Sequence, residues 1–145
     1  MDRLAGKVTL ITGGESGIGL ATARRFVAEG AKVFLVGLDE GRLKDAVAEL
    51  GAAAGHDVAD VTDEAAVEEA MKAAVGRFGP LDVLFSNAGI SGSVCGVTDY
   101  PSEIFNRTLA VHVTGAFHVI KHGLPRMNDG GSIVITSSVD GGLAG

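Results

Sequence analysis

The residues best suited to chemistry lie near the start of the chain, in Thr12-Gly13-Gly14-Glu15-Ser16-Gly17-Ile18-Gly19. They follow an apolar run, Lys7 to Thr12, that reads as a buried parallel strand, and they lead into a helix predicted over Gly17 to Glu29. A turn at such a junction offers the helix's unpaired N–H groups and partial positive charge to a pyrophosphate. Gly13 permits the tight turn, Gly17 lets the backbone approach phosphates, and Gly19 allows close packing of helix on strand. Ser16 adds a hydroxyl donor. No Lys-Ser or Lys-Thr follows, which excludes the P-loop of NTPases. The plainer reading is a flexible βα loop, and the strand before and helix after favour dinucleotide binding over it.

Two further groups have reactive side chains. His118 and His122 stand at the i, i+4 spacing of a metal pair, but no third ligand is evident nearby, so they read as a partly exposed helix face. Cys95 falls in a loop near where a substrate would enter and reads as a small buried or incidental residue.

These residues must be held by alternating strands and helices. Val33 to Val36 is a second buried strand, with Ala21, Phe26 and Val27 the inward positions of the helix before it and Gly30 its stop signal. A second helix runs from Glu40 to Leu50, a loop from Gly51 to Gly55, and a weak third strand from His56 to Val61. Thr62 is the expected N-cap of a helix carrying Val67, Met71, Ala74, Val75 and Phe78 inward, stopped by Gly79-Pro80. Asp82 to Phe85 is the fourth strand, followed by a loop from Asn87 to Asp99. A long helix runs from Pro101 to before Pro125, and Ser132 to Thr136 is the fifth strand. The pattern predicts an α/β, Rossmann-type, doubly wound parallel sheet covered on both faces, in a single domain over 1–145.

Composition supports a packed globule, with 46% hydrophobic and 21% charged residues in 145. A net charge of −6 argues against a nucleic-acid surface. One cysteine precludes an internal disulfide and suits a reducing compartment. No targeting segment is visible and no apolar run reaches the length of a membrane helix, so the expectation is a soluble, cytoplasmic protein.

The spacing Thr-Gly-x-x-x-Gly-Ile-Gly, preceded by Arg3-Leu4-Ala5-Gly6-Lys7-Val8, resembles the short-chain dehydrogenase/reductase family. The resemblance continues in order through Asp60-Val61-Thr62-Asp63, Ser86-Asn87-Ala88-Gly89 and Ile133-Val134-Ile135-Thr136-Ser137-Ser138. It implies that Asp60 and Val61 contact an adenine ring, and that Asn87, Ala88 and Gly89 pass beside the cofactor ribose. It implies a catalytic serine at Ser138, and at His112 it implies the position where the family has a water-holding asparagine. A small alcohol or carbonyl compound is the implied substrate, with hydride carried by a nicotinamide cofactor. The resemblance implies association through the fourth helix and the helix after it, and the second is not in this sequence, so a homo-oligomer is an option for the full-length protein and the oligomeric state stays open.

The cofactor is expected to be NAD rather than NADP. A carboxylate at the end of the second strand bonds a ribose 2′-hydroxyl, whereas a 2′-phosphate needs a cation. The family's aspartate falls on Gly37, Asp39 lies close behind it, and Glu15 and Ser16 stand where NADP enzymes often carry a basic residue. The proton-transferring Tyr-x-x-x-Lys pair has no counterpart: the only tyrosine is Tyr100, followed by Pro101 and, four places on, Ile104. The resemblance puts that pair beyond Gly145, with Val139 to Gly145 opening the loop toward it. The expectation is therefore a dehydrogenase truncated on its C-terminal side, inactive alone, whose other reading is a non-catalytic dinucleotide-binding module.

Overall fold

The computed structural model describes residues 2–138. Its elements run β1 (Val8–Thr12), α1 (Gly17–Ala28), β2 (Lys32–Gly37), α2 (Glu40–Leu50), β3 (Ala54–Val58), α3 (Glu64–Phe78), β4 (Leu81–Ser86) and α4 (Ser102–Leu109). A π-helical turn (Ala110–Thr114) then joins α4 to α5 (Gly115–Gly123), and β5 (Met127–Ile135) follows. All strand pairs are parallel, in the order β3-β2-β1-β4-β5. The direction of winding reverses between β1 and β4, the place where open α/β sheets hold ligands beyond their carboxyl ends.

Alternation along the central strands divides the core in two. Val8, Leu10, Phe34 and Val36 pack with Val67, Ala70, Met71 and Ala74 of α3 and with Val119 of α5. Ile11, Val33 and Leu35 face the other way, onto Ala23 of α1 and Leu43 and Ala46 of α2. β1 is buried along its whole length, as a strand covered on both faces must be. At the far edge the cover fails: Ile133, Val134 and Ile135 of β5 are 39%, 49% and 50% exposed.

Several expectations need correction. β3 begins at Ala54, where a loop was expected, and its pairing with β2 runs from Val33–Ala54 to Gly37–Val58. A side chain at Gly55 would lie 3.2 Å from the Phe34 ring and 3.5 Å from that of Phe78, so the strand is written in small residues that carry no hydrophobic signal. Asp63, not Thr62, caps α3, accepting the Ala66 N–H at 3.2 Å. Ala21 is exposed and Ala23 buried in α1. The long helix expected from Pro101 to before Pro125 is present from Ser102 to Gly123, with a π turn in its middle. β5 starts at Met127, opposite Leu81, before an irregular stretch at Gly130 restores pairing at Ser132. The segment 139–145 lies outside the described residues.

Candidate functional site

A cleft of about 690 Å³ opens over the carboxyl ends of β1, β2 and β4. Its floor is the N-terminus of α1. Ser16 occupies the cap position with extended backbone but its side chain bonds no helix N–H, and the first turn carries no acid. α2 and α3 differ: Asp39 and Asp63 cap them, and each has a glutamate in its first turn. The positive end of α1 is thus left for an anion from outside. Gly17 lines the cleft at φ +52°, and a side chain there would meet nothing within 4 Å. Gly19 faces inward, where a Cβ would overlap the Gly13 carbonyl oxygen and lie 2.9 Å from Asn87 Nδ2.

Hydroxyl groups stitch the strand ends together. Thr12 is buried, and its Oγ1 accepts the Asn87 N–H at 2.9 Å and the Ala88 N–H at 3.0 Å. The Thr136 hydroxyl donates to Asn87 Oδ1 at 2.7 Å, and its N–H extends the β4–β5 ladder to the Ser86 carbonyl at 3.0 Å. The loop after β4 is therefore tied to both neighbouring strands. Farther along it, His112 Nε2 faces the Ile90 N–H at 3.0 Å and the Ile90 carbonyl at 2.8 Å, so its tautomer decides which it bonds. The ring fills the space beside Gly89, where a Cβ would lie 2.6 Å from His112 Cε1. Tyr100 serves the same loop, its hydroxyl accepting the Ser93 N–H at 3.0 Å.

The end of the cleft beside β2 is lined by carboxylates and two arginines. Asp39 Oδ1 accepts the Arg42 N–H at 3.1 Å, and its Oδ2 lies 3.6 Å from Arg42 Nε. Glu15 reaches across from the β1–α1 turn, its Oε2 accepting the Asp39 N–H at 3.2 Å. Asp60 accepts the Thr62 N–H (2.9 Å), the Thr62 hydroxyl (2.7 Å) and Arg107 Nη2 (3.0 Å). Burial alone would raise the Asp60 pKa, but Thr62 and the Arg107 guanidinium outweigh it and hold the carboxyl below its ordinary value. Val36, Ala59, Val61 and Val111 supply an apolar wall between these polar groups.

Of the residues singled out from the sequence, Gly13, Ser16, Gly17, Ile18, Asp39, Asp60, Val61, Asn87, Ala88 and Gly89 line one cleft. Thr12 and Gly19 lie behind it and shape it. Ser138 is exposed just past the end of β5, and His112 stands on the π turn against the Gly89–Ile90 backbone. Arg42, Arg107 and Thr136 also line the cleft and were not foreseen; contacts across the fold with Asp60 and Asn87 mark Arg107 and Thr136, and a local pairing with Asp39 marks Arg42. His118 corrects an expectation: it is 8% exposed, not on an open helix face, and its Nδ1 donates to the Val61 carbonyl at 2.7 Å. His122 Nε2 and Lys121 Nζ bond Glu64 Oε1 at 3.0 and 2.5 Å. No group of three metal-ligating side chains occurs among the described residues. Cys95 is exposed rather than buried. No described helix is long and apolar enough to cross a membrane.

A family model described as short chain dehydrogenase matches residues 7–145. Short-chain dehydrogenase reductase 5 of Arabidopsis thaliana is 44% identical over 99% of this chain and 57% of its own length. The crystal structure of NAD+-bound xylitol dehydrogenase superposes with a TM-score of 0.93 at 40% identity, covering 99% of this chain and 57% of that one. A 3-ketoacyl-(acyl-carrier-protein) reductase from Brucella melitensis complexed with NADH gives a TM-score of 0.83 at 38% identity, covering 85% of this chain and 51% of that one. The chain thus spans little more than half the length of such relatives.

Proposed function

Because the chain belongs to the short chain dehydrogenase family, we propose that its cleft binds NAD(H) and serves hydride transfer between that cofactor and a small alcohol or carbonyl compound. The observation that carries the reading is the uncapped N-terminus of α1 opening onto the cleft beside a bare Gly17. The N–H groups there would hold the pyrophosphate, helped by Ser16. Asp60 and Val61 would flank the adenine ring, and Asn87, Ala88 and Gly89 the far ribose. NAD is favoured over NADP because Glu15 and Asp39 line the β2 end and would repel a 2′-phosphate, while Arg42 is already paired with Asp39. The solved relatives named above carry NAD+ and NADH, which supports the same choice.

The nicotinamide supplies the hydride acceptor or donor. The chain's own share is orientation: Ser138 would hold the substrate oxygen, and His112 would fix the Gly89–Ile90 backbone beside the far ribose. Proton transfer requires a donor within hydrogen-bond reach and with a pKa drawn toward neutrality, and Tyr100, which braces its own loop by accepting the Ser93 N–H, has Ile104 rather than a lysine four places on. We therefore assign proton transfer to groups outside these 145 residues, so the chain alone binds cofactor without turnover. Phe105, Leu109, Val113 and Phe117 recur every fourth residue as an exposed apolar stripe along α4, the π turn and α5, a surface suited to a second copy. With a single cysteine, the protein fits the reducing cytoplasm.

Titration of the chain with NADH and NADPH, followed by nicotinamide fluorescence, tests the reading. Saturable binding of NADH, tighter than of NADPH, is expected. Saturation by neither refutes it. Adding a segment bearing a Tyr-x-x-x-Lys pair in trans should then restore hydride transfer.

A further inference from the structure

The second strand ends without the carboxylate that an NAD site needs. Gly37 closes β2, is buried, and lines the cleft. The space its side chain would fill is occupied: a Cβ at Gly37 would overlap the Glu15 carboxylate, with Oε1 2.5 Å away. Glu15 comes from the β1–α1 turn, is half-buried, and is held in that place by the Asp39 N–H at 3.2 Å. Asp39 itself is committed elsewhere, one oxygen capping α2 and the other facing Arg42. A carboxylate therefore does stand at the tip of β2, but a different segment delivers it.

We infer that Glu15 replaces the strand-end carboxylate and accepts the adenosine ribose 2′-hydroxyl, with Gly37 as the gap that admits it. The inference rests on the cleft's being an NAD site. It assigns cofactor discrimination to the phosphate turn, so one short segment reads both the pyrophosphate and the ribose. It also gives Asp39 a structural duty, capping α2 and supplying the N–H that aims Glu15, and it makes residues 15 and 37 interchangeable as carboxylate donors.

The test compares dissociation constants of NADH, 2′-deoxy-NADH (lacking the adenosine 2′-hydroxyl) and NADPH for the wild type, E15Q and the double variant E15A/G37D. A hydrogen bond to a charged partner is strong enough that E15Q should weaken NADH about tenfold or more. The same change should leave 2′-deoxy-NADH within about twofold and narrow the preference for NADH over NADPH. E15A/G37D, which moves the carboxylate to the strand, should recover most of the NADH affinity. Wild-type binding of NADH with E15Q unchanged, or with 2′-deoxy-NADH weakened equally, overturns the inference alone. Failure of the wild type to bind any of the three overturns the NAD site itself. Far-UV circular dichroism on each variant separates loss of fold from loss of contact.

Discussion

Two threonines on one strand should respond in opposite directions to the same substitution. Thr9 and Thr12 both lie in β1 and are 0% and 1% exposed. Thr12 Oγ1 accepts two backbone N–H groups from the loop after β4. Thr9 Oγ1 is buried with no hydrogen-bond partner among the described residues. Valine preserves the shape of either side chain and removes the oxygen. At Thr12 this strands the Asn87 and Ala88 donors, each at about 1–3 kcal/mol if sealed from water. Both residues are half-buried, so water recovers part of the loss and a net cost of about 2–3 kcal/mol is expected. At Thr9 valine removes an unpaired hydroxyl and should be neutral or stabilising by about 1 kcal/mol.

Urea unfolding at neutral pH measures both variants, with Thr12→Ser as the control that keeps the oxygen and loses a methyl group. The expected order of stability is Thr9→Val at or above wild type, then Thr12→Ser, then Thr12→Val. For a chain of this size the Thr12→Val deficit corresponds to a fall in Tm of about 5–10 °C. The NADH affinity should fall with it, because the loop loses its tie to β1. Thr12→Val at least as stable as Thr12→Ser would refute the claim that the hydroxyl, not the packing, holds this loop.

Two other expectations follow from surface chemistry. Lys121 and then His122 lower the Glu64 pKa from its ordinary 4.5 to about 2. The folded state thus binds fewer protons there, so the stabilisation is complete above about pH 4.5 and is lost as pH falls toward 2. The gap in urea midpoint between wild type and Glu64→Gln should close across that window, and a gap independent of pH would contradict the assignment. Phe117→Glu, placed in the exposed stripe, should convert a dimer to a monomer in sedimentation velocity while leaving the circular dichroism spectrum intact; a wild type that is itself monomeric would dispose of the stripe as a self-association surface.

What the sequence revealed depended on whether the signal was local. The glycine turn, the first two strands and α3 were legible because apolar periodicity and stop signals lie within one segment. β3 was misplaced because Gly55 is fitted to the Phe34 and Phe78 rings and Ala54 to the opposite core beside Leu43 and Ala46, all residues in other elements of the chain. The cap of α3 moved by one because Thr62 is drawn to Asp60 and Arg107 instead. His118 looked like a surface residue until its ring was found bonded to the Val61 carbonyl, and Arg107 gave no sign at all. The strand-end position at 37 was legible as a missing aspartate, but its replacement by Glu15 depends on the fold that brings the two together.

Three glycines in and just behind the cleft show that such gaps are filled by particular partners, and the nature of each partner predicts the cost of closing it. At Gly19 the intruding group is the Gly13 carbonyl, backbone of a tight turn that has nowhere to go. At Gly89 it is the His112 ring, which can yield only by giving up the Ile90 backbone. At Gly37 it is a glutamate side chain, free to swing toward solvent once it releases the Asp39 N–H. Alanine should therefore cost about 3 kcal/mol or more at Gly19, about 1–2 at Gly89 and least at Gly37, following the rising compliance of the neighbour. Gly76 supplies the control: it is exposed within α3, with nothing within 4 Å of a Cβ, and alanine there should stabilise by about 0.5–1 kcal/mol. Cofactor affinity should not follow that ranking. Gly37→Ala, mildest for the fold, displaces the carboxylate assigned to the ribose and should weaken NADH about as much as E15Q does. Equal stability losses at all three cleft positions would mean that these glycines serve chain flexibility, and that the groups packed into their gaps are bystanders.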